Sequence, residues 1–282
     1  WSSDVCSSDL GVPVFESLPA ALEALRPDAA VIATPHDTHR ALGAAALAAG
    51  VPTLFEKPVG LSTAEARALA GFAATRGVQA GAVLNQRGCR HHAWLAGEIR
   101  AGRLRPRYVG FSGSLARLGS WHADPRRAGG GLLRTIGLHY VDLLRWWLGE
   151  PLAVSALVAG EPAEDRCAVA LRFADGALGS LQLAATAARS LGPVRALIEG
   201  EGARVELVGH EIVRVEGLGA PPPLEPPEPT LTYGPGHLAV IGGATAALAA
   251  GRPFPVPLDE ALPSLALLDR LYAAAAAADQ RS

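Results

Sequence analysis

Apolar and polar positions fall into two regimes along this chain. Between residue 11 and about residue 88, short apolar runs alternate with stretches of helical period, as in the strand-helix-strand units that build a parallel sheet. Ala29-Ala30-Val31-Ile32-Ala33 reads as a strand closed by Thr34-Pro35, and Asp37 or Thr38 is placed to cap the helix that follows, through about Ala49. Thr53-Leu54-Phe55 is the next buried strand. Pro58 stops it, lacking an N–H for the ladder and pressing Lys57 toward extended geometry. Ser62-Thr63-Ala64-Glu65 has the capping-box pattern for a helix to about Thr75, and Gly77 to Leu84 gives another strand, ending in Asn85-Gln86-Arg87.

The alternation then stops. His91 to Ala101 is one helix closed by Gly102, after which period-two patterning takes over. Strands are predicted at Ala153 to Val158, Arg166 to Phe173, Ala177 to Ala184, Val194 to Ile198, Ala203 to Leu207 and Glu211 to Val215, with turns such as Ala174-Asp175-Gly176 between them. The expected fold is α/β and then α+β: part of a parallel-sheet domain over 11–88, then a large, mostly antiparallel open sheet packed on helices over 89–282. Such a sheet leaves two edges and a face uncovered, so a homo-oligomer, dimer or tetramer, is expected.

Three polar strand ends thus meet at one sheet edge, and carboxyl ends of strands are where open α/β sheets bind ligands. A lone Glu56-Lys57 pair would ordinarily be a solvated strand end; the neighbouring Thr34-Pro35-His36 end argues for a site. A second constellation follows Gly129-Gly130-Gly131, where a helix over roughly Ile136 to Leu148 carries Thr135, His139 and Asp142 at spacings that put all three on one face. Between the two lies Leu115 to Arg127, a long loop holding Arg117, Trp121 and His122, read equally as a functional rim or a surface loop with one anchored Trp. Ala220 to Pro229 is proline-rich, and runs into Tyr233-Gly234-Pro235-Gly236-His237, ordinary punctuation before a helix unless it overhangs the site.

Composition narrows the class. The chain has 282 residues, 49% of them hydrophobic, which is enough for one large core or two ordinary ones. A net charge of -2 with scattered positive residues gives no nucleic-acid footprint, and the apolar run Leu238 to Ala250 is too short to span a bilayer. Three cysteines, Cys6, Cys89 and Cys167, have no metal-ligand spacing, and a reduced, cytoplasmic setting fits them. The chain contains no methionine, and Trp1 to Leu10 reads as translated sequencing adapter rather than protein, so residues 1–10 are set aside. No Gly-x-Gly-x-x-Gly follows a strand.

From residue 11 to about 279 these motifs resemble the glucose-fructose oxidoreductase, inositol dehydrogenase and MocA family of nicotinamide-dependent oxidoreductases. The resemblance implies a Rossmann-type domain without its Gly-rich first unit, Gly11 to Leu18 standing for the family's third strand. It implies NAD or NADP as cofactor, with the residue that selects between them missing. Thr34, Pro35, His36, His39, Glu56, Lys57, Asn85 and Arg87 would line the cofactor, and Lys57 would work with His139 in proton transfer. Thr135, where the family usually has Asp or Asn, would position. Arg117, Trp121, Asp142, Tyr233 and His237 would meet a sugar or cyclitol substrate; no metal is implied. The Arg-Trp loop and Ile136-Gly137-Leu138-His139 resemble the branch that oxidises the 3-hydroxyl of UDP-N-acetylglucosamine or its uronate. A non-catalytic relative of the same fold, or an inactive fragment, is the alternative.

Overall fold

In a computed structural model of the chain, residues 11–224 and 234–280 are described. Helix α1 (Leu18–Leu25), strand β1 (Ala30–Ile32), α2 (His36–Ala48), β2 (Thr53–Glu56), α3 (Thr63–Arg76) and β3 (Ala80–Val83) follow in turn, and the strands form a parallel sheet in the order β1-β2-β3. Phe55 lies in register with Ile32 on one side and Ala82 on the other. Gly43 lets α2 settle on this sheet, because a Cβ there would run into the Phe55 ring. Ser17 Oγ caps α1 and Ser62 Oγ caps α3, while Glu65 Oε2 takes the Leu61 N–H at 2.9 Å. Helix α2 starts at His36 behind Pro35, so neither Asp37 nor Thr38 caps it; the Thr38 hydroxyl donates to the Pro35 carbonyl at 2.7 Å. The strand expected over Gly11 to Leu18 does not form: Val12 and Val14 are exposed, Pro13 removes a donor from any ladder, and Leu18 already opens α1.

After short α4 (Asn85–Gly88) and α5 (Arg90–Arg100) comes β4 (Pro106–Ala116), a long strand whose glycines and serines hid it from periodicity. A 3₁₀ turn (Ser120–Ala123), short α6 (Pro125–Ala128) and a five-residue π-turn (Leu133–Gly137) lead into α7 (Leu138–Leu148). Then come β5 (Ala153–Ala159), β6 (Arg166–Arg172), β7 (Leu178–Ala187), β8 (Arg195–Gly200), β9 (Ala203–Val208) and β10 (Glu211–Glu216). They join β4 in the order β10-β9-β8-β4-β7-β6-β5, antiparallel except where β4 meets β7. Alternation is clean in β6, with Cys167, Val169 and Leu171 inward and the arginines at both ends outward.

Helices α7 and α9 (Leu258–Asp279) cover the inner face, and α8 (Pro235–Ala249) packs on α4. The segment before α9 returns to the first sheet: Ala82 N–H donates to Val256 O at 2.9 Å, and Gly81 stands opposite Pro257. One core therefore runs from Phe55 and Leu69 through Leu138 and Leu144 to Leu181 and Leu268. Among the described residues α9 is the one helix long and apolar enough to cross a membrane, yet Ala261, Leu265, Leu268 and Leu271 are buried in that core.

Candidate active site

The three parallel strands end at one edge, and each delivers polar groups there. Lys57 follows β2 across a cis bond to Pro58 and turns its side chain toward α7, where Nζ donates to the Thr135 carbonyl at 2.5 Å. Burial pulls the Lys57 ammonium down to about 8, with the Glu56 charge resisting. His139, one helical turn beyond Thr135, makes no hydrogen bond to any described residue. Desolvation, then the charges of Lys57 and His237, hold it well below the usual histidine range. Lys57 and His139 thus sit within electrostatic reach, from elements far apart in sequence.

The helix carrying His139 is set by an unusual start. Gly129 ends α6 at φ +79°, a left-handed cap that suits glycine. Gly131 admits a backbone, but that of Glu164 and not of a ligand: a Cβ there would collide with the Glu164 carbonyl. Glu164 takes up three successive donors, Gly131 N–H at 2.7 Å and Leu133 N–H at 3.2 Å on its carboxylate, Leu132 N–H at 2.7 Å on its carbonyl. The Tyr272 hydroxyl donates to the same carboxylate. Loop geometry of this kind has no signature in local sequence.

Around Lys57 stand further rings. His36 is buried, with Nδ1 at 2.9 Å from the Ala128 carbonyl, and burial drives it down to about 3. Its ring meets Trp121 edge-on at 4.6 Å, and Trp121 stacks on His122 at 3.7 Å. Lys57 is felt by His36 and by His122, so the loop after β4 faces the lysine. On the other side Glu56 Oε1 lies 3.3 Å from His237 Nε2, whose Nδ1 lies 3.2 Å from Asn85 Nδ2. Asn85 Oδ1 is buried without a partner among the described residues.

Other expected site residues fall elsewhere. His39 is fully buried between two carbonyls, Thr34 O at 2.9 Å and Pro58 O at 3.0 Å, and ties the first two strand ends together instead of facing a cofactor. Arg87 turns away from the edge because α4 swings it toward α7. It grips Asp142 with two bonds of 2.7 and 2.8 Å and reaches Glu260 at 3.1 Å. Asp142 also accepts from Ser264 at 2.6 Å and is buried, so it has no face left for substrate. Thr135, in the π-turn, donates its hydroxyl to Gly131 O at 2.8 Å; its carbonyl, not its side chain, touches the site. The wider π-turn also breaks the shared face expected from the spacings, which assumed 3.6 residues per turn. Arg117 is exposed and its guanidinium donates weakly to Thr186 O at 3.4 Å. Thr34 is exposed at the rim with its hydroxyl 2.6 Å from that of Thr38. Tyr233 lies outside the described residues.

Periodicity passed over Glu164, and a residue count carries a further signal. Lys57 is the only lysine in the chain; every other member of the 25 Lys+Arg positions is arginine. A buried lysine, unlike an arginine, can be brought to neutrality near physiological pH, and the single lysine of this chain stands at the buried strand end.

Two family models match: the oxidoreductase family's NAD-binding Rossmann fold over residues 2–83, and the GFO/IDH/MocA C-terminal domain over residues 95–211. Of curated relatives, a protein of Amycolatopsis mediterranei described as a UDP-kanosamine synthase oxidoreductase subunit is 35% identical over 156 residues, 52% of this chain and 41% of that protein. The rhizopine catabolism protein MocA of Rhizobium meliloti is 32% identical over 145 residues, 50% of this chain and 44% of that protein. The chain thus spans less than half the length of either. The WlbA dehydrogenase of Bordetella pertussis, solved with NADH and UDP-GlcNAcA, superposes with a TM-score of 0.84 at 25% identity, over 97% of this chain and 84% of that one. With both family models matched in their expected order and the two-sheet architecture shared, the chain belongs to the glucose-fructose oxidoreductase, inositol dehydrogenase and MocA family.

Proposed function

We propose that this chain serves an NAD(P)-dependent dehydrogenase that oxidises, or in reverse forms, a secondary hydroxyl of a sugar, sugar nucleotide or cyclitol. The observation that carries the reading is Lys57: the sole lysine, at a strand end, lowered to about 8 and beside His139, which has no hydrogen bond to a described residue. Near neutral pH such a lysine exists in both protonation states. Its free base accepts the hydroxyl proton as the alcohol becomes a carbonyl; its ammonium returns that proton in the opposite direction. Thr135 O holds Nζ in place, and His139, kept neutral by burial, offers the substrate oxygen a second hydrogen-bond partner. A non-catalytic relative has no use for this pairing.

The residues present fit the nicotinamide end of the cofactor. Thr34, Pro35, Glu56, Lys57 and Asn85 would hold it, the buried Asn85 Oδ1, without a partner among the described residues, being an acceptor suited to an amide donor. Bound there, a nicotinamide supplies the hydride acceptor or donor. Trp121 and His122 offer a stacked aromatic shelf on the substrate side, the kind of surface on which a sugar ring rests. In this reading a sugar nucleotide stands ahead of inositol, with the likeness to the enzyme solved with UDP-GlcNAcA as its support. The sheet face away from the helices carries Tyr108, Ser112, Gln182, Arg195 and Arg204 around a shallow pocket of about 350 Å³, and is the surface through which we expect cytoplasmic dimers or tetramers. Light scattering that returned a monomer would remove that part of the reading.

Titration with NADH and NADPH, followed by nicotinamide fluorescence, should show binding of at least one. Turnover should then appear with UDP-N-acetylglucosamine, its uronate or inositol. In Lys57→Arg, cofactor binding should persist while turnover is lost. Failure to bind either cofactor by the protein with the Gly-rich first unit of its Rossmann-type domain in place would defeat the oxidoreductase reading.

A further inference from the structure

We infer that Glu164, in the loop between β5 and β6, is a positioning residue for Lys57, acting through the turn that opens the His139 helix. Four hydrogen bonds converge on this one residue. Three come from successive backbone donors at Gly131, Leu132 and Leu133, and one from the Tyr272 hydroxyl. The donors that the turn exposes are the ones a helix start leaves without intrahelical partners, and a carboxylate there is also favoured by the helix dipole. Glu164 supplies both from another element, 31 to 33 residues along the chain from its carboxylate's partners. Its carboxylate leaves the turn little freedom to shift.

That turn sets the site. Gly131 O accepts both the N–H and the hydroxyl of Thr135, at 3.0 and 2.8 Å, and Thr135 O accepts the Lys57 ammonium at 2.5 Å. The path is short and continuous: Tyr272 to Glu164, Glu164 to Gly131, Gly131 to Thr135, Thr135 to Lys57. Glu164 is not among the groups whose charge acts appreciably on Lys57, for which only Glu56 enters beside burial. Its influence therefore passes through geometry. Withdrawing the Thr135 carbonyl leaves a desolvated ammonium without its acceptor, which favours the neutral amine.

The inference rests on Lys57 being the working group of the proposed reaction, yet its test needs neither cofactor nor turnover. Because the chain has a single lysine, labelling with [ε-¹³C]lysine gives one Cε resonance, and its pH titration reports Lys57 alone. The charged and titratable groups facing that amine are Glu56, His36, His122 and His139, and all remain in every variant. Glu164→Ala should move the Lys57 midpoint down by about half a pH unit or more from its value near 8. Glu164→Gln, which keeps one acceptor but loses the same charge, should move it less. Ser264→Ala, which loosens the Asp142 cluster instead, should lower stability and leave the midpoint in place. An unchanged or raised midpoint in a folded Glu164→Ala protein would overturn the inference, as would equal shifts in Ala and Gln, which would mean direct charge and not position. Where Glu164→Ala does not fold, Tyr272→Phe unhooks the carboxylate while keeping its charge. A downward shift there supports the inference, and none refutes it. Loss of the oxidoreductase reading would show instead as absent cofactor binding, with this titration unaffected.

Discussion

Helix α7 presents two charged clusters less than one turn apart, and they are built on opposite terms. Around Asp142 every strong group is matched: two bonds to Arg87, one to Ser264, and Glu260 closing the guanidinium from outside. Around His139 the groups are buried but poorly matched. Among the described residues its ring has no hydrogen bond, Lys57 has a single carbonyl partner, and Asn85 Oδ1 has none. Matched charges keep their ionised forms, and the Arg87 guanidinium is raised by its carboxylates despite the opposing cost of burial. Unmatched ones drift toward neutrality, as Lys57 and His139 do. Burial alone therefore does not mark a site; burial without partners does, and it does so at a cost in stability.

The sharpest way to break that contrast is to fix the charge at Lys57. Arg retains its proton at any pH the fold survives, so Lys57→Arg should lower kcat by about 10²- to 10⁴-fold while cofactor binding and thermal stability change little. In the unaltered protein kcat/KM for oxidation should climb with pH and level off above about 8, where the amine is neutral. Turnover retained in the arginine variant would mean that the lysine only positions substrate.

At the other cluster the same kind of substitution should act on stability instead. Asp142→Ala strands the Arg87 guanidinium, 7% exposed, without its bidentate partner. The expected loss is about 3–5 kcal/mol in urea unfolding, with the Lys57 titration midpoint unmoved. A loss below about 1 kcal/mol would show that Glu260 and water satisfy Arg87 well enough, and the two clusters would no longer differ in kind.

How much of this was legible depended on distance along the chain. The placement of Lys57 and His139 at element ends could be read because local punctuation announces it: Pro58 ends a strand at the lysine, and three glycines precede the helix of the histidine. The sheets were legible for the same reason, from runs bounded by turns, whereas β4, with Gly110, Gly113 and three serines or alanines near its end, has no such signal. Arg87 and Asp142 were misread because their meaning lies in each other, 55 residues apart, and in the short α4 that swings one toward the other. The Thr135 side chain was misplaced by a π-turn, which no residue pattern here distinguishes from an ordinary helix start. Glu164 is a loop glutamate until its three backbone donors are seen.

The smallest effect separates the clusters by pH. Histidines held below their unfolded value of 6.5 are neutral in the folded protein, so on acidification the unfolded chain binds protons that the folded one refuses. Each such group removes about 1.4 kcal/mol per pH unit below 6.5, continuing down to its folded value. His36, beside Lys57, continues to about 3, and His92, buried edge-on to Trp147 with Nε2 unpartnered among the described residues, to about 4. The Arg87 guanidinium contributes no slope in this range, since it does not titrate there. Urea unfolding between pH 6.5 and 5 should therefore lose stability steeply, and His92→Leu should flatten the slope by about 1.4 kcal/mol per pH unit without touching turnover. A slope unchanged in that variant would mean that His92 takes up a proton in the folded state through a partner reached by rearrangement. The distinction between matched and unmatched burial would then hold only at the edge where Lys57 sits.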